Sequence, residues 1–245
     1  IEMGARVTNI GTSIVPIRTL YDPSGFPIEV FRERTRRLSS ATMAAPSFAL
    51  VRDNALFGYT APIMGQRFRL QVEPQIGTWQ WVDMLLDYRR YDPILFNFLT
   101  FSTRAFATIT AGRDEYQWNK YIGRPDFIRG YNRQPYADGC GAPPAGSTNA
   151  DIEANCGLAQ LFGSRLAVLN AELRFPLIRR FDLGVLPIAL PPIDALVFAD
   201  AGVAWTGNAR PGETAQTLSL RRPANYNIFT QRYPLRSYGY GVRFS

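Results

Sequence analysis

The sequence predicts an all-β fold: an antiparallel up-and-down transmembrane β-barrel, of which this chain supplies a segment of about eight strands. Three observations lead there. Apolar and polar residues alternate at period two in segment after segment, separated by Gly, Pro and Asp, while helical spacing is scarce. Aromatic residues gather near the ends of these segments, and tight joins alternate with long polar ones.

Strands are expected near 3–19, 47–61, 66–75, 79–91, 97–112, 164–175, 195–206 and 236–245. In 67–73, Phe68, Leu70 and Val72 share one face, and Arg67, Arg69, Gln71 and Glu73 the other. In 82–89, Val82, Met84, Leu86 and Tyr88 oppose Asp83, Asp87 and Arg89, with Leu85 breaking the pattern. In 167–175, Ala167, Leu169, Ala171, Leu173 and Phe175 oppose Asn170, Glu172 and Arg174. The last strand sets Tyr238, Tyr240, Val242 and Phe244 against Gly239, Gly241 and Arg243.

A soluble sandwich also alternates, but its apolar face looks at a second sheet. Here the apolar faces carry Trp79, Trp81, Tyr88, Trp205 and Tyr238 near strand ends, as an interfacial girdle would. Segments of about 10 residues also suit a tilted strand crossing a bilayer. The joins 62–65, 76–78 and 92–96 are short, and 176–194 is longer and proline-rich. Those at 20–46, 113–163 and 207–235 are long, polar and rich in Gly, Pro, Asn and Arg, so they would face outside and the opposite turns the periplasm.

With no histidine and two cysteines, the 245 residues cannot form a Ser-His-Asp triad, a Cys-His pair, imidazole-ligated zinc or a thiolate zinc site. With 46% hydrophobic residues, 16 Phe and 12 Tyr the chain can bury ample surface, so disorder is not expected. The stretch Leu183 to Ile193 is too short, and too rich in proline, for a spanning helix of about 20 residues. Lys120 is the only lysine among 27 basic residues. The arginines are scattered along the chain, so the +7 charge is no clustered nucleic-acid footprint, and no nucleic-acid partner is expected. The one dense run, Arg32, Arg34, Arg36 and Arg37, reads as a solvated loop, with contact to a polyanion such as lipopolysaccharide phosphate as the alternative. The chain opens at Ile1 without an initiator Met or an apolar leader, so it is expected to be a processed product or the interior of a longer protein.

Cys140 and Cys156 lie in the 113–163 join among Gly, Pro, Ala and Asn, a poor setting for a packed core. A disulfide between them would close about 15 residues, stabilise by roughly 3 kcal/mol and imply an oxidising compartment. Asp83 and Asp87 share a face, as an acid/base pair would, but beside Arg89 and Arg90 they read as charges lining a lumen. The Gly-Tyr-Gly of Gly239 to Gly241 lacks phosphate-loop spacing and reads as strand glycine. No residue set looks catalytic, and neither enzyme activity nor a cofactor is expected.

Within the same join, Phe127-Ile128-Arg129-Gly130-Tyr131 resembles the (V/I)-R-G-(F/Y) signature of the outer-membrane assembly barrels, the bacterial surface antigen family of BamA-like and TamA-like proteins and two-partner secretion pores. Two further motifs agree in order and spacing. Ala171-Glu172-Leu173-Arg174-Phe175-Pro176 resembles the strand after that loop, and Phe198-Ala199-Asp200-Ala201-Gly202 the F-x-D-x-G strand that follows. The resemblance covers 79–245 by motif and the earlier part by strand pattern.

The resemblance implies that the large loop folds back into the lumen, where Arg129 pairs with Asp200 and Glu172 on the next two strands, flanked by Gly130, Tyr131, Phe198 and Gly202. Strand parity agrees, placing Glu172 on a polar face and Phe198, Asp200 and Gly202 together on another. The chain departs from the family by matching only the seventh to fourteenth of roughly sixteen strands, so it is not expected to close by itself. The function implied is insertion, assembly or translocation of proteins at the outer membrane of a Gram-negative bacterium. Implied partners are outer-membrane lipid and lipopolysaccharide, unfolded or secreted client polypeptides, and the missing strands with a periplasmic domain or partner subunits. Residues 56–112 faintly resemble barrels fused behind a Tol-type β-propeller, which favours a scaffold component of a larger complex; a passive porin-like pore is the third reading.

Overall fold

The structure is a computed structural model that describes residues 1–14, 17–21, 27–32, 36–58, 60–95, 98–131, 158–178, 181–182, 189–190, 192–207, 216–221 and 230–244, with backbone alone at 12–39, 158–159, 181–182 and 189–190. Eight long strands carry the fold: β1 (Glu2–Ile14), β2 (Arg36–Asp53), β3 (Pro62–Gly77), β4 (Trp81–Ile94), β5 (Leu99–Ala111), β6 (Arg165–Ile178), β7 (Ile193–Trp205) and β8 (Leu235–Phe244). Each pairs antiparallel with the next in chain order, and the short strand Leu56–Phe57 adds to the start of β3. The protein is therefore all-β, an up-and-down meander with no α-helix among the described residues. The sheet is not closed: among the described residues β1 pairs only with β2, and β8 only with β7.

Several expected boundaries shift. β2 begins at Arg36 rather than 47, and the expected loop 20–46 holds the antiparallel pair Ile17–Tyr21 and Pro27–Arg32. Asp22, Pro23, Ser24 and Gly25 between the two, with the arginines that follow, read like loop composition, which hid all but 17–19 of these strands. The join at 62–65 is already β3; the chain turns before it, where the Gly58 N–H donates to the Ala61 carbonyl at 2.9 Å. Likewise β4 runs through Asp92 and Pro93 to Ile94 before turning. The arginine run 32–37, Cys140 and Cys156 lie outside the residues whose side chains are described.

The two faces of the sheet differ as strand parity requires. One face exposes Met3, Val7, Phe48, Leu50, Leu70, Val72, Met84, Phe101, Leu169, Val197, Val242 and Phe244, with Tyr238 and Tyr240 at 89% and 88% exposure. The opposite face carries Arg69, Gln71 and Glu73 of β3, Asp83, Asp87 and Arg89 of β4, Arg104 of β5, Glu172 and Arg174 of β6, and Asp200 of β7, linked in ion pairs and hydrogen bonds. Trp81 departs from the expected girdle. It lies on the charged face, 5% exposed, donating its indole N–H to Asp83 Oδ2 at 2.7 Å.

The core sits where residues 115–131 and 158–163 lie against this polar face. Ile122, Ile128 and Leu161 are fully buried against Phe106, Leu166, Val168, Ala204 and Leu235, with Leu85, Phe127 and Tyr131 at the margin. The break in alternation at Leu85 thus has a cause: an inward apolar residue meets the segment packed on the wall.

Candidate functional site

Arg129 is aimed by a compact turn. The N–H groups of Phe127 and Ile128 both donate to the Arg124 carbonyl at 2.9 Å, which drives Ile128 into the wall and turns the next side chain along it. Gly130 follows at φ 87°, a left-handed conformation that costs a residue with Cβ about 1 kcal/mol or more. Tyr131 then donates its hydroxyl to the Arg236 carbonyl on β8 at 2.9 Å.

The guanidinium of Arg129 meets Asp200 as a fork: Nε to Oδ2 and Nη2 to Oδ1, both 2.7 Å. Its Nη1 donates to Glu172 Oε1 at 2.7 Å, and its backbone N–H to Asp200 Oδ2 at 3.2 Å. The flat side of the guanidinium lies 3.6 Å from the centre of the Phe198 ring, a cation–π contact. Phe198 can lie there because β8 supplies Gly239 opposite it, where a Cβ would stand 2.9 Å from the ring. The Asp200 side chain is fully buried, and Asn170 supports it by donating to Oδ1 at 2.8 Å while holding the Phe127 carbonyl at 2.8 Å. Arg174 grips the other Glu172 oxygen at 2.7 Å. Three cations, Arg129, Arg174 and, at 3.7 Å from Glu172, Arg243, thus face two carboxylates, and the Arg129–Asp200 pair has the planar bidentate geometry that makes such pairs strong. Burial works against charge on Arg129, but the Asp200 and Glu172 carboxylates outweigh it and raise its pKa above the ordinary arginine value.

All seven wall-lock residues expected from the sequence come together here: Arg129, Gly130, Tyr131, Glu172, Phe198, Asp200 and Gly202. Gly202 lies flat under the turn, where a Cβ would stand 2.6 Å from Ile128 Cδ1 and 2.9 Å from Ile122 Cδ1. Asn170, Gly239 and the two isoleucines were not singled out from the sequence. Asn170 was legible only as a polar residue on the inward side of β6, two positions before Glu172.

A second anchor was also missed. Lys120, in the short strand Lys120–Tyr121 paired with Phe162–Gly163, donates to Asp83 Oδ1 at 2.8 Å and to the Thr110 hydroxyl, which itself bonds Asp83. Its signal was its singularity as the lone lysine. A third contact places Glu115, fully buried, on Arg165 at 3.1 Å and Ser164 at 3.2 Å. Asp87 is bound by Arg89 at 2.7 Å and Arg104 at 3.1 Å on the same polar face. Lys120→Met should strip Asp83 of its cation at a cost of about 1–3 kcal/mol. Proteolysis near residues 115–121 should then speed up, and an unchanged digestion pattern would show that this anchor holds nothing.

Among the described residues no group of three or more Cys, Asp and Glu is placed to hold a metal ion. What the arrangement can do is mechanical and electrostatic: it fastens a connecting segment to β4 through β8 from the polar side. No family model matches this chain, and no curated protein matches it significantly.

Proposed function

We propose that the chain is part of the wall of a Gram-negative outer-membrane β-barrel of the surface antigen type, acting in insertion, assembly or translocation of polypeptides without cofactor or nucleotide. One observation carries this reading: exposed apolar residues from all eight strands share one uncovered face, while the ion pairs, the packed segment and the apolar residues beneath it occupy the other. In water such a face would be an aggregation hazard, whereas hydrocarbon solvates it. The two free edges would pair with further strands in the full-length protein, since unpaired backbone groups in lipid cost several kcal/mol each. The wall-lock motifs Phe127–Tyr131, Ala171–Pro176 and Phe198–Gly202 favour the assembly family over a passive pore, because a segment clamped to the polar face narrows any lumen.

Orientation is checked with Leu169→Cys and Val197→Cys, 62% and 51% exposed, in a background without Cys140 and Cys156. In lipid vesicles both thiols should resist a water-soluble maleimide and be quenched by lipid-borne quenchers; ready labelling would rule out lipid on this face. For function, vesicles holding the full-length protein should speed the folding of a urea-denatured barrel client relative to empty vesicles. Equal rates would remove the assembly reading and leave the scaffold role.

A further inference from the structure

We propose that the recess beside Trp118, on the polar face where β3 and β4 join, binds one neutral hexopyranose unit of a glycan. This goes beyond the proposed function and does not depend on it. Three indoles form a row: Trp79 and Trp81 have ring centres 6.4 Å apart and 28° between planes, Trp81 and Trp118 6.5 Å and 22°. Trp81 is buried within the row, whereas Trp118 at its end remains 50% exposed. A rigid indole with a supported back and a half-open surface suits the flat C–H face of a sugar ring.

Around it Gln71, Glu73, Asp83, Thr108 and Lys120 line a recess of about 180 Å³, room for a single sugar ring rather than a chain. Charge decides the ligand class. Glu73 is paired with Arg6 at 2.5 Å and Asp83 with Lys120 at 2.8 Å, so the recess is balanced and favours neither cation nor anion. What it offers is hydrogen-bonding capacity. Of the roughly four bonds a carboxylate can accept, Glu73 already takes three, from Arg6, Gln71 and Gln75, and Asp83 three, from Trp81, Thr110 and Lys120, so each keeps about one for a ligand, and Lys120 has a further N–H beyond those given to Asp83 and Thr110. An apolar platform ringed by donors and acceptors without net charge is complementary to a neutral polyol with one greasy face. The sugar could belong to lipopolysaccharide core or to another glycan, and the chemistry here is common to both.

The test is calorimetric titration of the full-length protein, folded in an amine-oxide detergent that carries no sugar headgroup. The probes are methyl glucoside, N-acetylglucosamine, lipopolysaccharide core oligosaccharide, glucuronate and choline. A neutral sugar should bind saturably, Trp118→Ala and Glu73→Gln should each weaken it about tenfold, equivalent to about 1.4 kcal/mol, and Trp118→Phe should restore most of the loss. Heat-modified gel mobility of each variant verifies folding. Saturation by the core oligosaccharide alone assigns the source to lipopolysaccharide; saturation by the simple sugars as well assigns a general glycan site. No saturation by methyl glucoside, N-acetylglucosamine or the core oligosaccharide to roughly 100 mM overturns the proposal, as would Trp118→Ala binding unchanged, or tighter binding of choline or glucuronate.

Discussion

Replacing Asp200 by alanine should destabilise the folded protein by about 3 kcal/mol, the lower end of the range for breaking a buried pair, because Arg129 is a quarter exposed and recovers some hydration. The reverse change, Arg129→Ala, should cost as much or more, since it leaves the fully buried Asp200 carboxylate with Asn170 as its remaining side-chain donor. The double variant should fall well short of the sum, because each single change leaves a charge that the other removes. Urea midpoints in detergent and mobility on semi-native gels give the three values. Singles within about 0.5 kcal/mol of the parent, or a strictly additive double, would mean that the fork contributes no more than a surface pair.

Gly202→Leu should lift the packed segment off the wall. The added atoms would start within 2.9 Å of both Ile122 and Ile128 and 3.1 Å from the Ala167 carbonyl, which belongs to β6 and cannot yield. Overpacking of this kind costs about 1–3 kcal/mol, and the isoleucine turn is the movable partner. The expected result is rapid cleavage within 115–131 with the strand content of the circular dichroism spectrum retained. Gly202→Ala should be milder in the same direction. A leucine variant as protease-resistant as the parent would show that the turn does not sit where Gly202 makes room for it.

These two sites were expected from the resemblance of three motifs to a known family; strand parity, which is rigid, added that Phe198, Asp200 and Gly202 share a face, as do Asn170, Glu172 and Arg174. Most of the sheet was readable from parity, and the pattern in 67–73, unbroken, and that in 167–175, broken only at Val168, fall within β3 and β6. The pair Ile17–Tyr21 and Pro27–Arg32 was not, because the turn-favouring residues Asp22, Pro23, Ser24 and Gly25 and the arginines that follow made the stretch read as loop. Lys120 and Asp83 were also beyond reach, since their encounter is set by how residues 115–121 cross β4 and β5, which no period reports. The exceptions to alternation proved the more telling signal. Leu85, Phe106, Leu166 and Val168 interrupt the polar face, and together they outline the footprint of the packed segment.

That segment touches β4 and β5 through Lys120, β6 and β7 through Arg129, and β8 through Tyr131, and among the described side-chain bonds it makes none to β1, β2 or β3. It is a splint across five consecutive strands, and β3 is tied to the same group at its start, where Arg174 Nη1 donates to the Pro62 carbonyl at 3.3 Å and the neighbouring Thr60 hydroxyl bonds Asp194. A slip of one ladder among the five would have to break a tie, so they bend and tilt as one plate. Any opening of the sheet is therefore borne first by the ladders that join β1 to β2 and β2 to β3.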